Sequence, residues 1–142
     1  QGRDGVILFN NDLSIRVERK LEIEKLLHFA LEEKEISLMY QPQIDANDKI
    51  IGCEVLVRWS NAKLGNVGPD EFIPISEDTG LIIELGSYIL EEAIKTLSEW
   101  DKKGIQLEQM SINISMRQLF HDGFIDEVKT ICNKYLTINQ AS

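Results

Sequence analysis

The sequence has 142 residues, 43% hydrophobic and 27% charged, the balance of an ordinary globular segment able to bury one core. Its 24 acidic against 15 basic residues give a net charge of −9, which opposes non-specific adhesion to nucleic acid polymers or anionic lipid. No run of about 18 apolar residues is present and no basic, apolar leader opens the chain, so neither direct membrane insertion nor secretion is expected. A cytoplasmic compartment fits the two distant cysteines, Cys53 and Cys132, which read as reduced, small buried hydrophobes; a membrane anchor upstream of residue 1 stays compatible with this. His28 and His121 stand alone and read as surface or boundary residues.

In chain order, residues 6–9 form a short apolar run followed by Asn10, Asn11 and Asp12, a strand-then-turn pattern. Ser14 offers an N-cap, and from there to about Glu35 the apolar residues Val17, Leu21, Leu26, Leu27, Ala30 and Leu31 recur at helical spacing. Packing on this domain is the favoured use of that stripe over a dimerisation helix, since any surface helix carries one. Residues 38–44 and 50–59 read as strands joined by residues 45–49, and a link so short forces an antiparallel hairpin. Residues 61–68, rich in glycine and asparagine, read as a loop, and residues 70–78 as a short helix interrupted or bent at Pro74. Gly80 ends that piece. A strong amphipathic helix follows over residues 83–103 and stops at Gly104. Residues 110–115 alternate strictly and read as a strand; residues 124–135 read as a last helix. The β-α-β-α order after the hairpin points to an α/β fold with helices outside a largely parallel sheet or barrel. With about three strands, a (β/α)₈ barrel would be less than half complete.

Strand alternation puts Glu54, Leu56 and Arg58 on one face and Cys53, Val55, Val57 and Trp59 on the other, helix-covered one. Glu54 and Arg58 lie about 13 Å apart along the backbone, a spread suited to a ligand larger than one phosphate, although spacing alone favours an internal ion pair. Ser111, Asn113 and Ser115 likewise share a face, aimed either at solvent or at a polar interior. Asn113-Ile114-Ser115 also matches the N-glycosylation sequon, a reading rejected for a strand without secretory context. Gln41, mid-strand, offers paired donor and acceptor groups of the kind that read a base edge, or else is a satisfied interior amide.

The strings YQPQID, IGCEVLVRW, GNVGPDEFIPISEDTGLI, LGSYILEEA, and SINIS followed by QLF occur in this order. In order and spacing they resemble the EAL domain, from about Glu35 to the C-terminus. The resemblance implies a TIM-like barrel whose first strand is antiparallel to its neighbour, and hydrolysis of cyclic di-GMP to linear pGpG. The name-giving motif is here Glu54-Val55-Leu56, with valine for alanine at a position facing away from the inner side. By resemblance, Glu54 and Asn113 would be catalytic ligands to Mg²⁺ or Mn²⁺, Arg58 would hold a phosphate, Gln41 would contact a guanine and Leu56 would line the substrate. Hard divalent cations take such oxygen ligands.

The family's later metal ligands, a glutamate on the next strand and the Asp-Asp-Phe-Gly pair, have no counterpart in these 142 residues, nor do its catalytic lysine and last glutamate. The expectation is therefore the N-terminal part of an EAL domain over residues 36–142, an incomplete TIM-like barrel, inactive by itself and weak or silent in metal binding. Residues 14–35 would be a connector helix. Residues 1–13, where GRDGVILF resembles the last strand of a GGDEF domain, would be the tail of a preceding domain. The alternatives are a non-catalytic cyclic di-GMP receptor and a protein-interaction scaffold; retention of both Glu54 and Asn113 favours the phosphodiesterase. An open strand edge and an uncovered interior further predict a homodimer or element-swapped oligomer.

Overall fold

The computed structural model describes residues 11–141, with side chains through residue 136, so the strand expected over residues 6–9 lies outside the described residues. Helix α1 (Asn11–Leu27) already runs at Ser14, which is therefore inside the helix rather than its N-cap. It also stops well short of Glu35. Turns occupy residues 28–34, Lys34 adopts a left-handed backbone (φ 57), and the Glu35 N–H closes on the Ala30 carbonyl, a Schellman-type stop. Ala30 is nevertheless buried beside Ile23 and Leu27, so the apolar stripe packs inward even where the helix has ended.

Strands β1 (Ile36–Ile44) and β2 (Ile50–Asn61) form the antiparallel hairpin the short link requires, with Ile36 opposite Trp59 and Gln41 opposite Glu54. The turn is held by Asp45, whose Oδ1 accepts the N–H groups of Asn47 and Lys49 at 2.8 and 3.0 Å. At the other end, Glu35 accepts from the Trp59 indole (2.9 Å) and the Asn61 amide (3.1 Å), tying the start of β1 to the end of β2. Asn61 Oδ1 then accepts from the N–H groups of Lys63 and Leu64, turning the chain into β3 (Gly65–Val67), which returns antiparallel on β2. The expected loop over residues 61–68 thus contains a strand, too short to show a period of its own.

Helix α2 (Pro69–Thr79) is continuous through Pro74, which corrects the expected break. Pro74 is in the middle of the helix, where its missing N–H forfeits one backbone bond without ending it. Gly80 (φ 86) ends α2, and α3 (Ile82–Lys102) buries Leu85, Ile89, Leu90, Ala93 and Ile94 before Gly104 (φ 85) stops the chain, as expected. Strand β4 is shorter than its alternation suggests. Only Gln109–Ser111 pairs with β2, in parallel and with Glu54 beside Ser111, because Ser115 breaks away to cap helix α4 (Met116–Leu119). Helix α5 (Phe124–Ala141) closes the described chain.

The result is an α/β fold on a four-stranded sheet, and its pairing is mostly antiparallel: only β2 and β4 run parallel. That departs from the largely parallel sheet read from the element order. Strand β2 is central. Strand β1 lines one edge along its length, while the other edge is shared by β4 at residues 52–54 and β3 at residues 59–61. The main core fills the space between the sheet and α1 to α3, where Trp59 meets Phe72 edge-on at 5.6 Å; a second core joins α3 to α5 through Leu90, Ile94, Phe124 and Ile131. Among the described residues, no helix is long and apolar enough to cross a membrane.

Candidate functional site

The two faces of the hairpin divide as strand periodicity requires. Ile36, Cys53, Val55 and Trp59 are buried on the helix-covered side; Val55, at 4% exposure, points away from the other face, so its replacement of alanine is absorbed by the core. The opposite face carries Met39, Gln41 and Gln43 from β1 and Glu54, Leu56 and Arg58 from β2, with Gln41 opposite Glu54 and Met39 opposite Leu56. Direct cross-strand partners have Cβ atoms about 5 Å apart, so Gln41 and Glu54 can touch one ligand together.

Asn113 reaches this face from the other side of β2. Its Nδ2 donates to Glu54 Oε2 at 3.3 Å, although Asn113 lies in the coil after β4 rather than on the strand itself. Glu54 is half-buried and Asn113 exposed. The carboxylate and carboxamide therefore converge on one point open to solvent, and each keeps an oxygen free of that bond. Arg58 does not pair with Glu54: its Nη1 donates to the neighbouring Val57 carbonyl at 3.0 Å and the side chain is exposed. The internal ion pair favoured by spacing is thereby overturned, and a guanidinium is left at the rim with donors to spare.

Polar residues that the strand reading passed over extend the face. Gln43 accepts from Gln109 Nε2 at 2.7 Å and donates to Ser111 Oγ at 3.4 Å, bridging β1 to β4 across Gly52. A Cβ on Gly52 would lie 2.6 Å from the Gln109 carbonyl oxygen and 2.8 Å from Gln43 Oε1, so only glycine allows this crossing. The signal was present in the period of two, which carries Gln41 to Gln43, Glu54 to Gly52 and Ser111 to Gln109. Ser115 does not join Ser111 and Asn113 over the sheet; its hydroxyl donates to Glu77 Oε2 at 2.7 Å and accepts from the Arg117 N–H at 3.2 Å.

Between the stretches of β2 held by β4 and β3, a cavity of about 420 Å³ opens, with Arg58, Asn113 and Glu77 among polar residues on walls built from Val57, Ile82 and Ile112. Its lining includes Asn113 and Arg58 but neither Glu54 nor Gln41, so it adjoins the Glu54–Asn113 pair rather than enclosing it. Resolved shifts in proton affinity lie outside it. Arg19 holds the Glu71 carboxylate below its usual range through hydrogen bonds of 2.6 and 3.0 Å, and the Tyr135 hydroxyl (2.8 Å) and Lys134 do the same for Glu91. Burial raises the Cys53 thiol, which keeps it protonated and inert as a nucleophile. Among the described residues no cluster of three or more His, Cys, Asp or Glu side chains is poised to hold a metal ion; the hard-oxygen pair Glu54 and Asn113 is a partial donor set of the right chemistry.

The EAL domain family model matches residues 24–141, and the chain belongs to this family. The bifunctional diguanylate cyclase/cyclic di-GMP phosphodiesterase MucR of Pseudomonas aeruginosa is 34% identical over 130 residues, 91% of this chain and 19% of MucR. The cyclic di-GMP phosphodiesterase PdeR of Escherichia coli is 32% identical over 130 residues, 92% of this chain and 20% of PdeR. The chain thus spans about a fifth of the length of these curated relatives. The PaMucR phosphodiesterase, solved as a c-di-GMP complex, superposes with a TM-score of 0.77 at 33% identity over 80% of this chain and 47% of that one. The FimX EAL domain of Xanthomonas citri, solved with c-diGMP, superposes at 0.65 over 89% of this chain and 47% of that one; at 21% identity it speaks for the fold alone.

Proposed function

We propose that this chain supplies the first part of the site of a cyclic di-GMP phosphodiesterase, a hydrolase of bacterial second-messenger signalling that yields linear pGpG. The observation that carries the reading is the convergence of Glu54 and Asn113 from neighbouring segments at 3.3 Å, with Gln41 opposite Glu54 on the same face. In this reading Glu54 and Asn113 give oxygen ligands to Mg²⁺ or Mn²⁺. Arg58 holds a phosphate by charge-assisted hydrogen bonds, Gln41 reads a guanine edge and Leu56 packs against the nucleotide. A divalent cation at this pair would supply a water of lowered pKa and positive charge against the phosphoryl oxygens. The chain's own part is to orient the ligand oxygens and to set the arginine at a distance fitted to a dinucleotide.

Two oxygen side chains fall short of the six or so that such cations take, so the 142-residue polypeptide is proposed to bind the nucleotide weakly and not to turn it over. Residues 14–35 are proposed as a connector from a preceding domain, and the exposed Ile44 and Ile50 at the hairpin tip as part of a self-association surface, a homodimer or swapped oligomer. A receptor that binds cyclic di-GMP without hydrolysis is the second reading. Calorimetric titration with cyclic di-GMP, with and without Mn²⁺, tests the proposal. Binding strengthened by Mn²⁺ in the wild type, and lost in Glu54→Ala and Asn113→Ala, supports it; equal binding by all three proteins favours the receptor, and none by the wild type rejects both. Turnover by the polypeptide alone would overturn the expectation of inactivity.

A further inference from the structure

Asn113 stands in coil, yet its side chain is aimed at Glu54. What holds it there lies two to five residues on. Ser115 Oγ donates to the Glu77 carboxylate at 2.7 Å, Arg117 donates from Nη1 to the Glu77 backbone carbonyl, and the Arg117 guanidinium lies close over Gly80. The Gln118 side chain, 3% exposed, lies flat against Gly86 of α3, where a Cβ would approach its amide to 2.3 Å. Residues 115–118 are therefore clamped to the junction of α2 and α3 through both the side chain and the main chain of one residue, Glu77. The same Ser115 hydroxyl caps α4, so the clamp fixes the point where the chain leaves the sheet.

We infer that Glu77 is a positioning residue for the ligand site: through Ser115 and Arg117 it sets the backbone from which Asn113 meets Glu54, without itself being a ligand to the cation. The inference rests on the reading of Glu54 and Asn113 as the ligand-binding pair. A carboxylate suits this task because it accepts from a hydroxyl more strongly than a neutral group does, and here that hydroxyl is engaged at both its proton and its lone pair.

The test uses the 142-residue chain and two nuclear magnetic resonance readouts. One is ¹⁵N relaxation over residues 112–118 and the Asn113 side-chain amide; the other is the Mn²⁺ concentration that half-broadens the Asn113 amide. Glu77→Ala is expected to loosen residues 112–118 while β1 and β2 keep their wild-type signals, and to raise the half-broadening concentration about tenfold, the scale of one lost charge-assisted hydrogen bond. Glu77→Gln, which keeps an acceptor for Ser115, is expected to restore both readouts to within about threefold, whereas Glu77→Met, similar in size but with no acceptor oxygen, is expected to behave as Glu77→Ala, a split that a purely packing role would not show. Unchanged relaxation in Glu77→Ala, or no rescue by glutamine, overturns the inference. If Mn²⁺ leaves the wild-type Asn113 signal untouched, the ligand-site reading fails by itself, and relaxation alone then decides whether Glu77 orders the segment. A Glu77→Ala protein that loses its β1 and β2 signals is replaced by Ser115→Ala, with the same expectations.

Discussion

Asn113 donates its amide to Glu54 across the gap between the end of β4 and the middle of β2. Asn113→Asp would replace a donor by a second negative charge. The expected result is a lower unfolding midpoint at neutral pH, recovered by acid or by millimolar Mn²⁺, because like charges a few ångströms apart cannot both ionise freely. Thermal melts with and without the metal check this; a midpoint indifferent to Mn²⁺ would speak against a cation site.

Gly52 is where the side chains of Gln43 and Gln109 cross β2. Gly52→Ala is expected to cost about 1–3 kcal/mol, the usual penalty for overpacking against a backbone atom that cannot yield. The loss should be concentrated in β4, whose pairing with β2 includes Gly52 opposite Gln109. Urea unfolding gives the energy, and hydrogen exchange at residues 109–111 locates it.

Gln118 Nε2 has no hydrogen-bond partner among the described residues, though the side chain is buried. An unpaired buried amide costs about 1–3 kcal/mol. Gln118→Met, similar in length and unbranched, is expected to leave stability unchanged or raise it by about 1 kcal/mol, whereas Gly86→Ala should lower it by a clash with the same amide. Denaturant midpoints of the two variants should move in opposite directions, or the methionine variant should not move at all.

The Tyr40 phenol is raised above its ordinary value near 10.0, chiefly by burial, while its hydroxyl meets Thr96 at 3.0 Å and its ring meets Trp100 edge-on at 5.0 Å. A folded-state value above the unfolded one means that the folded form keeps its proton longer. Stability is therefore full below about pH 10 and falls as pH rises through the folded value. Tyr40→Phe should flatten part of that alkaline slope and cost about 1 kcal/mol at pH 8 through the lost hydrogen bond. Melting temperature against pH, from 8 to 11, decides it; Tyr88 and the Cys53 thiol, both raised by burial, and Lys134, raised by Glu91, keep the remaining slope.

The sequence revealed the hairpin, the long third helix with its glycine stop, and the two-faced character of β2, because each rests on local periodicity or on a link too short for any other pairing. It failed where a few side-chain hydrogen bonds override the pattern. The alternation at residues 110–115 promised a strand to Ser115, but a capping hydroxyl and Glu77 draw the chain off the sheet after Ser111. Asn61 hides β3 by building its turn from a side-chain oxygen, and Lys34 ends a stripe that continues to look helical. At the site, the meeting of Glu54 with Asn113 follows from the EAL resemblance and not from spacing, which places each on a strand face without joining them. The ion pair with Arg58 was wrongly favoured because spacing carries no rotamer, and the guanidinium instead turns to its neighbour's carbonyl.

The sharing of one edge of β2 between two short partners has a mechanical result. Glu54 sits where three strands meet, with Gln41 on one side and Ser111 on the other. Arg58 lies past that junction, over the stretch with no strand beside it on the open flank among the described residues. Glu54 is thus paired on both flanks, while Arg58 is paired with β1 alone. In the proposed reading, the metal-binding carboxylate is held by strands on both flanks and the phosphate-binding guanidinium by a strand on one, which leaves the arginine the freer of the two to follow its ligand.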